Sequence, residues 1–188
     1  MEADWSVEIG PGLPCIECKW DGFFDLWKFP SMIERLEEAA QHPALRVALL
    51  KLNSANSSVF TTKCDAWELD RDAIDPSEFA APTHAICSGF ASYIDVVKRD
   101  PAAVGSFAFH EHWVRDLTAE CRVLDVRQGR LDVILRSAIT DHEPGYGLTL
   151  YAAGCGANPE AAYSAWQVVL AAAVAATIAA ARTQGAGE

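Results

Sequence analysis

The C-terminal run of residues 158–181 constrains the fold more than any other stretch, because it carries no charged side chain after Glu160. Its start has the signals of a helix. Asn158 suits the N-cap, Pro159 suits the first helical position, and Glu160 complements the positive end of the helix dipole. Gly185 indicates where the helix ends. The run is therefore predicted to form one long helix that is apolar around its circumference.

An apolar helix needs apolar surroundings, so this one is a buried core helix, a subunit-interface helix or a membrane span. Alanine dominates the run, leucine occurs in it only at Leu170, and Ser164, Gln167 and Thr177 interrupt it. Such a composition inserts poorly into a bilayer, although the length would suffice. We expect a helix that packs on a sheet and on a second copy of the chain, which gives a homodimer and no membrane contact.

The totals limit the class of protein. A chain of 188 residues fits one domain, residues 1–188, and forms a core without disulfides or metal. Its net charge of −11 repels phosphate backbones, so no nucleic-acid partner is expected. The start at Met1 resembles no secretory signal, so a cytoplasmic location is expected. There the six cysteines are expected to be free thiols, and no cofactor is expected.

Two N-terminal segments, Asp4–Gly10 and Cys15–Asp21, alternate apolar with polar residues and are predicted as strands. The connection between them, residues 10–14, consists of glycine, proline and one leucine. This composition predicts a turn, so the two strands are expected to form an antiparallel hairpin with one wet face.

The rest of the chain is assigned from periodicity. Helices are expected from Phe29 to His42, at Pro43–Leu52, at Thr83–Lys98 and from Asp100 through Cys121. Strands are expected at Val59–Leu69, Arg130–Ile139 and Tyr146–Ala153. The fold class is therefore α+β, an antiparallel sheet of about five strands with packed helices and a long buried C-terminal helix. Strand order stays open, as does an internal duplication, because both ends of the chain follow the order strand, strand, helix.

Two short motifs contain residues that bind zinc in other proteins. Cys15 and Cys18 have a CxxC spacing, and His84 and Cys87 have an HxxC spacing. On a strand, residues three apart point to opposite faces, so Cys15 and Cys18 share a metal only if the strand breaks there. A dithiol redox centre would need its CxxC at a helix N-terminus, and Glu17 opposes thiolate formation. We therefore expect no bound metal. The four side chains Cys15, Cys18, His84 and Cys87 are the candidate ligands for the alternative, a zinc site.

Glu17-Cys18-Lys19, with Glu8 on the preceding predicted strand, resembles the end of the PD-(D/E)XK nuclease signature. The resemblance implies a nuclease in which Glu8 and Glu17 hold Mg²⁺ and Lys19 stabilises charge on a phosphoryl group. The sequence departs from the family pattern because Glu8 replaces the usual aspartate and no helix precedes it. The alternative is a solvent-facing row of charges on a wet strand.

His110 and His112 would be a metal pair on a strand, but the periodicity around them is helical. On a helix the two side chains point about 200° apart. His110 then lies near the buried stripe and is expected to be a hydrogen-bonded core or pocket histidine. The alternative is a general base that acts with Glu111.

Small residues in the segment Tyr151–Glu160 surround the turn before the long helix. Such a turn admits an anion at a helix N-terminus, but Glu160 would compete with it, so a tight-turn role is favoured.

No nucleophile, base and orienting group share one motif, so a noncatalytic protein- or ligand-binding module is the first expectation. Six tryptophans supply aromatic side chains of the kind that anchor interfaces. The alternative is an enzyme, either the metal-dependent nuclease at Glu8, Glu17 and Lys19 or one that uses His110. The sequence does not identify a ligand.

Overall fold

A computed structural model of the protein describes residues 1–79, 88–140 and 143–183. These residues form a six-stranded, mostly antiparallel sheet with helices packed on it, the α+β class that the sequence predicts. The strands are β1 (Glu2–Glu8), β2 (Ile16–Glu17), β3 (Val59–Leu69), β4 (Ser88–Lys98), β5 (Gly129–Thr140) and β6 (Glu143–Gly156). The α-helices are α1 (Glu37–Gln41), α2 (Pro43–Leu52), α3 (Pro101–Val104), α4 (Phe107–Arg122) and α5 (Pro159–Thr183). Short 3₁₀ helices lie at Pro30–Arg35, Arg71–Ala73 and Pro76–Phe79.

The strand order is β1-β5-β6-β4-β3, and β2 also pairs with β5. The predicted N-terminal hairpin is wrong. β1 runs parallel to residues 130–136 of β5, and β2 continues the same edge at Ala138 and Ile139. The segment between β1 and β2 leaves the sheet edge as a loop, in which Gly10 and Gly12 have positive φ angles of 155° and 79°. The strand that pairs with β1 and β2 is β5, which lies more than 100 residues further along the chain. The local alternation of apolar and polar residues therefore could not reveal this pairing.

The helix predicted at Thr83–Lys98 is also wrong over its described part, because Ser88–Lys98 is β4, an interior strand between β6 and β3. All residues of β4 except Ser88 and Tyr93 are buried, so its apolar residues form a nearly continuous run and do not alternate with polar ones. Phe90, Ile94 and Val97 happen to have helical spacing within that run. Residues 83–87 of the prediction lie outside the described residues.

Other predicted elements agree with the structure or differ at their ends. β3 and α2 have the predicted bounds. The helix predicted from Asp100 is split at Gly105 into α3 and α4, which are capped by Asp100 and Ser106. The helix predicted from Phe29 to His42 is a 3₁₀ helix followed by α1, and the strand predicted at Tyr146–Ala153 extends at both ends, since β6 spans Glu143–Gly156. The strand, strand, helix order at both ends is not a structural repeat, since β5 and β6 pair with each other whereas β1 and β2 both pair with β5.

Helix α5 packs on β6 and β4, with α2 and α4 beside it. A stripe of side chains faces the sheet and is buried, and it includes Trp166, Val169, Ala173 and Val174. The opposite stripe is exposed and consists of Ser164, Val168, Ala171, Ala175 and Ala179. The helix is therefore partly buried within one chain.

Residues 159–181 form a helix long and apolar enough to cross a membrane by length and composition, and 50% of its most apolar window is buried in the fold. Its inner side packs on the sheet, which is how the core helix of a soluble α+β domain is placed. The cytoplasmic location and the homodimer stay predictions.

Candidate functional site

The sheet has a second face, opposite the helices, and two segments cover its ends. At one end Ile16 and Cys18 pack with Val97 and Ala138, and the chain then crosses to β3, where the Trp20 indole N–H donates to the Thr62 carbonyl at 3.3 Å. At the other end the segment of residues 71–79 packs through its apolar side chains against Ala153 and Cys155. The middle of this face is open, and we call it the open face.

A concavity of about 540 Å³ lies on the open face, and we call it the open-face pocket. Strands β3, β4, β5 and β6 provide its floor, and the segment around β2 provides its wall. The lining residues are Pro14, Cys15, Glu17, Trp20, Lys63, Tyr93, Asp95, Arg136 and Tyr151.

Aromatic rings form a row across the open face. Trp67 on β3, Tyr93 on β4 and Tyr151 on β6 have successive ring-centroid distances of 6.2 and 5.8 Å. The sheet register produces the row, because Tyr93 and Tyr151 are directly paired residues of neighbouring antiparallel strands. The Arg136 guanidinium on β5 extends the row, with its carbon 5.9 Å from the Tyr151 ring centroid. The result is a row of neighbouring π systems whose ring planes are tilted by 56° and 42° from one to the next.

Asp95 is the buried ionisable group of the pocket, at 7% exposure. The Thr149 hydroxyl donates a hydrogen bond to its Oδ1 atom. Burial raises the pKa of the Asp95 carboxyl, and the Thr149 hydrogen bond and the charges of Arg136 and Lys63 offset only part of this effect. Burial and the neighbouring charge of Asp95 also raise the pKa of Tyr93 to about 12. Buried carboxyls with raised pKa values are concentrated at functional sites in proteins.

The cations of the pocket have partners within the chain. Arg136 donates to Glu8 Oε2 from Nη2 at 2.9 Å and from Nε at 3.2 Å. The Lys63 amine lies 5.5 Å from the Trp20 ring centroid, a cation–π contact that spans the pocket wall and floor. These contacts hold the charged groups near the aromatic row.

The three residues of the nuclease-like motif lie in different surroundings. Glu17 lines the open-face pocket, whereas Glu8 forms the ion pair with Arg136. Lys19 lines a separate cavity of about 140 Å³ together with Asp25 and other side chains. Within the described part of the chain, no group of three or more His, Cys, Asp or Glu side chains is arranged to hold a metal ion. The structure thus does not bring Glu8, Glu17 and Lys19 into one pocket.

Cys15 and Cys18 differ in environment. Cys15 is exposed, whereas Cys18 is 4% exposed, and burial together with the neighbouring Cys15 and Asp95 raises its pKa to about 12. A redox CxxC needs the opposite shift. His84 and Cys87, the other two candidate zinc ligands, lie outside the described residues.

His110 lies on α4, on the helix side of the sheet, with no solvent exposure. Its Nδ1 atom lies 2.9 Å from the Ser106 carbonyl oxygen, to which it donates a hydrogen bond. Burial, followed by the charge of Lys98, lowers its pKa, which favours the neutral ring. Glu111 points elsewhere and pairs with Arg115 at 2.8 Å. The predicted position of His110 in the buried stripe is confirmed.

The small residues before α5 serve close packing. A Cβ atom on Gly154 would lie 2.1 Å from the Trp166 backbone nitrogen, and one on Gly156 would lie 2.7 Å from the Ala161 Cβ. Asn158 caps the helix, since its Oδ1 accepts from the Ala161 N–H at 2.9 Å. This arrangement agrees with the tight-turn interpretation.

A second large cavity, of about 610 Å³, lies beside His42 and Tyr163. The Tyr163 hydroxyl is 3.5 Å from His42 Nδ1, and both rings pack on Phe90. The acids and the arginine that line it are all exposed, namely Glu68, Asp70, Arg71 and Glu160. Among the described residues that line this cavity, no acid is buried as Asp95 is. We therefore take the open-face pocket as the candidate site.

Sequence reasoning missed Tyr93, Asp95, Arg136 and Tyr151. Because Tyr93 and Asp95 lie within the helix predicted at Thr83–Lys98, sequence reasoning did not place them on a sheet face. A signal exists in β3, where Lys63, Asp65 and Trp67 alternate with less polar residues and mark a wet face. Strand order was needed to bring these positions together.

The chain matches no family model, no curated protein and no solved structure. The candidate site therefore depends on geometry and chemistry alone.

Proposed function

We propose that this protein is a noncatalytic binding module for a small molecule, with the open-face pocket as its binding site. One observation carries the proposal. Two rings of the aromatic row, Tyr93 and Tyr151, and a buried ionisable carboxyl, Asp95, line one concavity of about 540 Å³. That volume lies within the range of small-molecule sites, which combine ring surfaces with a few placed polar groups.

The burial of Asp95 supports a functional role. A carboxyl with a raised pKa destabilises the folded protein in its charged form, and one hydroxyl, that of Thr149, donates to it. An apolar residue would fill the same place at no such cost. Tyr93 and Tyr151 are only partly buried, so their rings leave surface for a ligand.

The pocket chemistry favours binding over covalent catalysis. Cys15 is its thiol, and burial and the charge of Glu17 raise the pKa of that thiol, which keeps it protonated at neutral pH. The second candidate is an enzyme with Asp95 as general acid, because a raised carboxyl pKa is the property such a group needs. Product analysis of any bound compound separates the two.

Thermal-shift screening of a metabolite library tests the proposal. A ligand at 100 times its Kd stabilises the folded state by about 2.7 kcal/mol, which raises Tm measurably. We expect compounds that raise the Tm of the wild type but not that of Tyr151→Ala. Tyr163→Ala is the matched control, since it removes the same ring from the His42 cavity, and it should keep the response. Stabilisation lost in Tyr163→Ala and kept in Tyr151→Ala would contradict the proposal, as would a library without any stabilising compound.

A further inference from the structure

The lining of the open-face pocket has an unusual composition. Its apolar surface comes from rings, those of Trp20, Tyr93, Tyr151 and Pro14, and the lining that the described residues provide holds no leucine, isoleucine or valine. A fatty-acid chain or another flexible apolar ligand packs on aliphatic side chains, which this lining does not offer. Aromatic faces instead suit a ligand with a ring of its own.

The charges of the lining balance. Two acids, Glu17 and Asp95, accompany two cations, Lys63 and Arg136. Arg136 already pairs with Glu8, and the whole chain carries a net charge of −11. A phosphorylated or polyanionic ligand is therefore repelled overall, whereas a strongly cationic ligand meets the Lys63 amine in the lining. The balance favours a neutral ligand.

The hydrogen-bonding groups of the lining are of two opposite kinds. An ionised carboxylate only accepts, whereas lysine and arginine only donate. A hydroxyl group does both, so a ligand with several hydroxyls satisfies Asp95 and Glu17 as a donor and Lys63 as an acceptor. The acceptors and donors lie beside the aromatic row. One ring of a ligand can therefore pack its face on the aromatic side chains while the groups on its edge form hydrogen bonds.

We propose that the ligand is a neutral saccharide, whose ring packs on Tyr151 and Tyr93 while its hydroxyls bond to Asp95, Glu17 and Lys63. The inference rests on the proposed function, since it names the ligand class of the same pocket. A nucleoside is the other neutral ring compound to test, because its base stacks on aromatic rings.

Isothermal titration calorimetry tests the ligand class with glucose, galactose, mannose, N-acetylglucosamine and maltose. Glucose 6-phosphate, glucosamine and adenosine serve as anionic, cationic and flat-ring comparators. At least one neutral saccharide should bind with a Kd below about 1 mM. Tyr151→Ala should weaken that binding at least about tenfold, Tyr151→Phe should retain it within about threefold, and Tyr163→Ala should leave it unchanged.

Each outcome decides one of the two proposals. The saccharide assignment is wrong if none of the five neutral saccharides binds, or if the bound one has equal affinity for Tyr151→Ala. If glucose 6-phosphate, glucosamine or adenosine binds instead and requires Tyr151, the saccharide assignment fails while the binding function stands. If the thermal-shift library also yields no compound that depends on Tyr151, both proposals fail. Circular dichroism of each variant establishes that its fold is retained.

Discussion

The two faces of the sheet belong to the same strands but have opposite properties. On β6, Leu150 is 1% exposed beneath the helices, whereas the next residue, Tyr151, is only partly buried on the open face. On β4, Ile94 is fully buried under the helices, and its neighbour Asp95 faces the open-face pocket. Alternation along each strand thus separates residues that hold the fold from residues that carry charge and rings.

The helix face is closely packed. Gly154 admits the α5 backbone, and the Trp166 indole donates to the Ser92 hydroxyl at 2.8 Å within the core. The open face instead keeps a buried carboxyl, that of Asp95, whose pKa is raised by burial. Substitutions on the helix face should therefore remove stability, and substitutions on the open face should alter binding and leave the fold intact.

The largest effect is expected from a charge on the inner side of α5. Val169→Asp buries a carboxylate in the core, because Val169 has no solvent exposure, and the protein should fail to fold. Val168→Asp is the matched control, since Val168 is the preceding residue and is 53% exposed. It should change the free energy of unfolding by less than about 1 kcal/mol.

The same pair sharpens the homodimer prediction. If the outer stripe of α5 is the dimer interface, Val168→Asp should convert the dimer to a folded monomer in light scattering. A wild-type monomer, or a dimer that persists in Val168→Asp, would contradict an interface through α5.

A smaller but still severe effect is expected from Gly154→Ala. The added Cβ would lie 2.1 Å from the Trp166 backbone nitrogen, so α5 must move away from β6. We expect a loss of more than about 3 kcal/mol in urea unfolding. Gly105→Ala is the control, because its Cβ would come no closer than 3.9 Å to its nearest neighbour, the Pro101 oxygen, and it should change stability by less than about 1 kcal/mol. Equal losses for both variants would show that the β6–α5 contact is not tight.

The smallest expected effect on stability is a gain, and it is expected from Asp95→Asn. Since the folded-state pKa of Asp95 is raised, its protonated form is favoured by folding, and this contribution is lost as pH rises from the usual aspartate value of about 3.9 through the folded pKa. Asp95→Asn keeps a neutral acceptor for Thr149. It should raise Tm at pH 7 by about 2–4 °C for each kcal/mol gained, and the gain should vanish near pH 4.

Thermal unfolding of the two proteins between pH 4 and pH 8 measures this difference. A wild type that is more stable than Asp95→Asn at pH 7 would show that the charged carboxyl stabilises the fold, and it would remove the main support for a functional role of Asp95.

The sequence predicted what depends on local chemistry. The N-cap at Asn158, the proline starts of α2 and α5, and the alternation of β3 are properties of neighbouring residues. The class of fold followed from such local patterns, and the buried position of His110 followed from the helical periodicity around it. The pairing of β1 and β2 with β5 depends on contacts across most of the chain, and no local pattern encodes it.

The site could not be predicted because it is an assembly of distant strands. Tyr93 and Tyr151 become neighbours only through the β4–β6 register, and Arg136 joins them through β5. The largely buried strand β4 gives no alternation of polar and apolar residues, so a helix was predicted over Asp95. The nuclease-like motif shows the converse, since Glu8, Glu17 and Lys19 are close in sequence but do not line one pocket.

An NMR titration with the most stabilising compound from the thermal-shift screen tests most directly whether the open face is the binding side. The largest amide chemical-shift changes should occur at Lys63, Tyr93, Asp95, Arg136 and Tyr151. The amide chemical shifts of α5 should not change. Changes centred on His42 and Tyr163, or along the exposed stripe of α5, would contradict the assignment of binding to the open face.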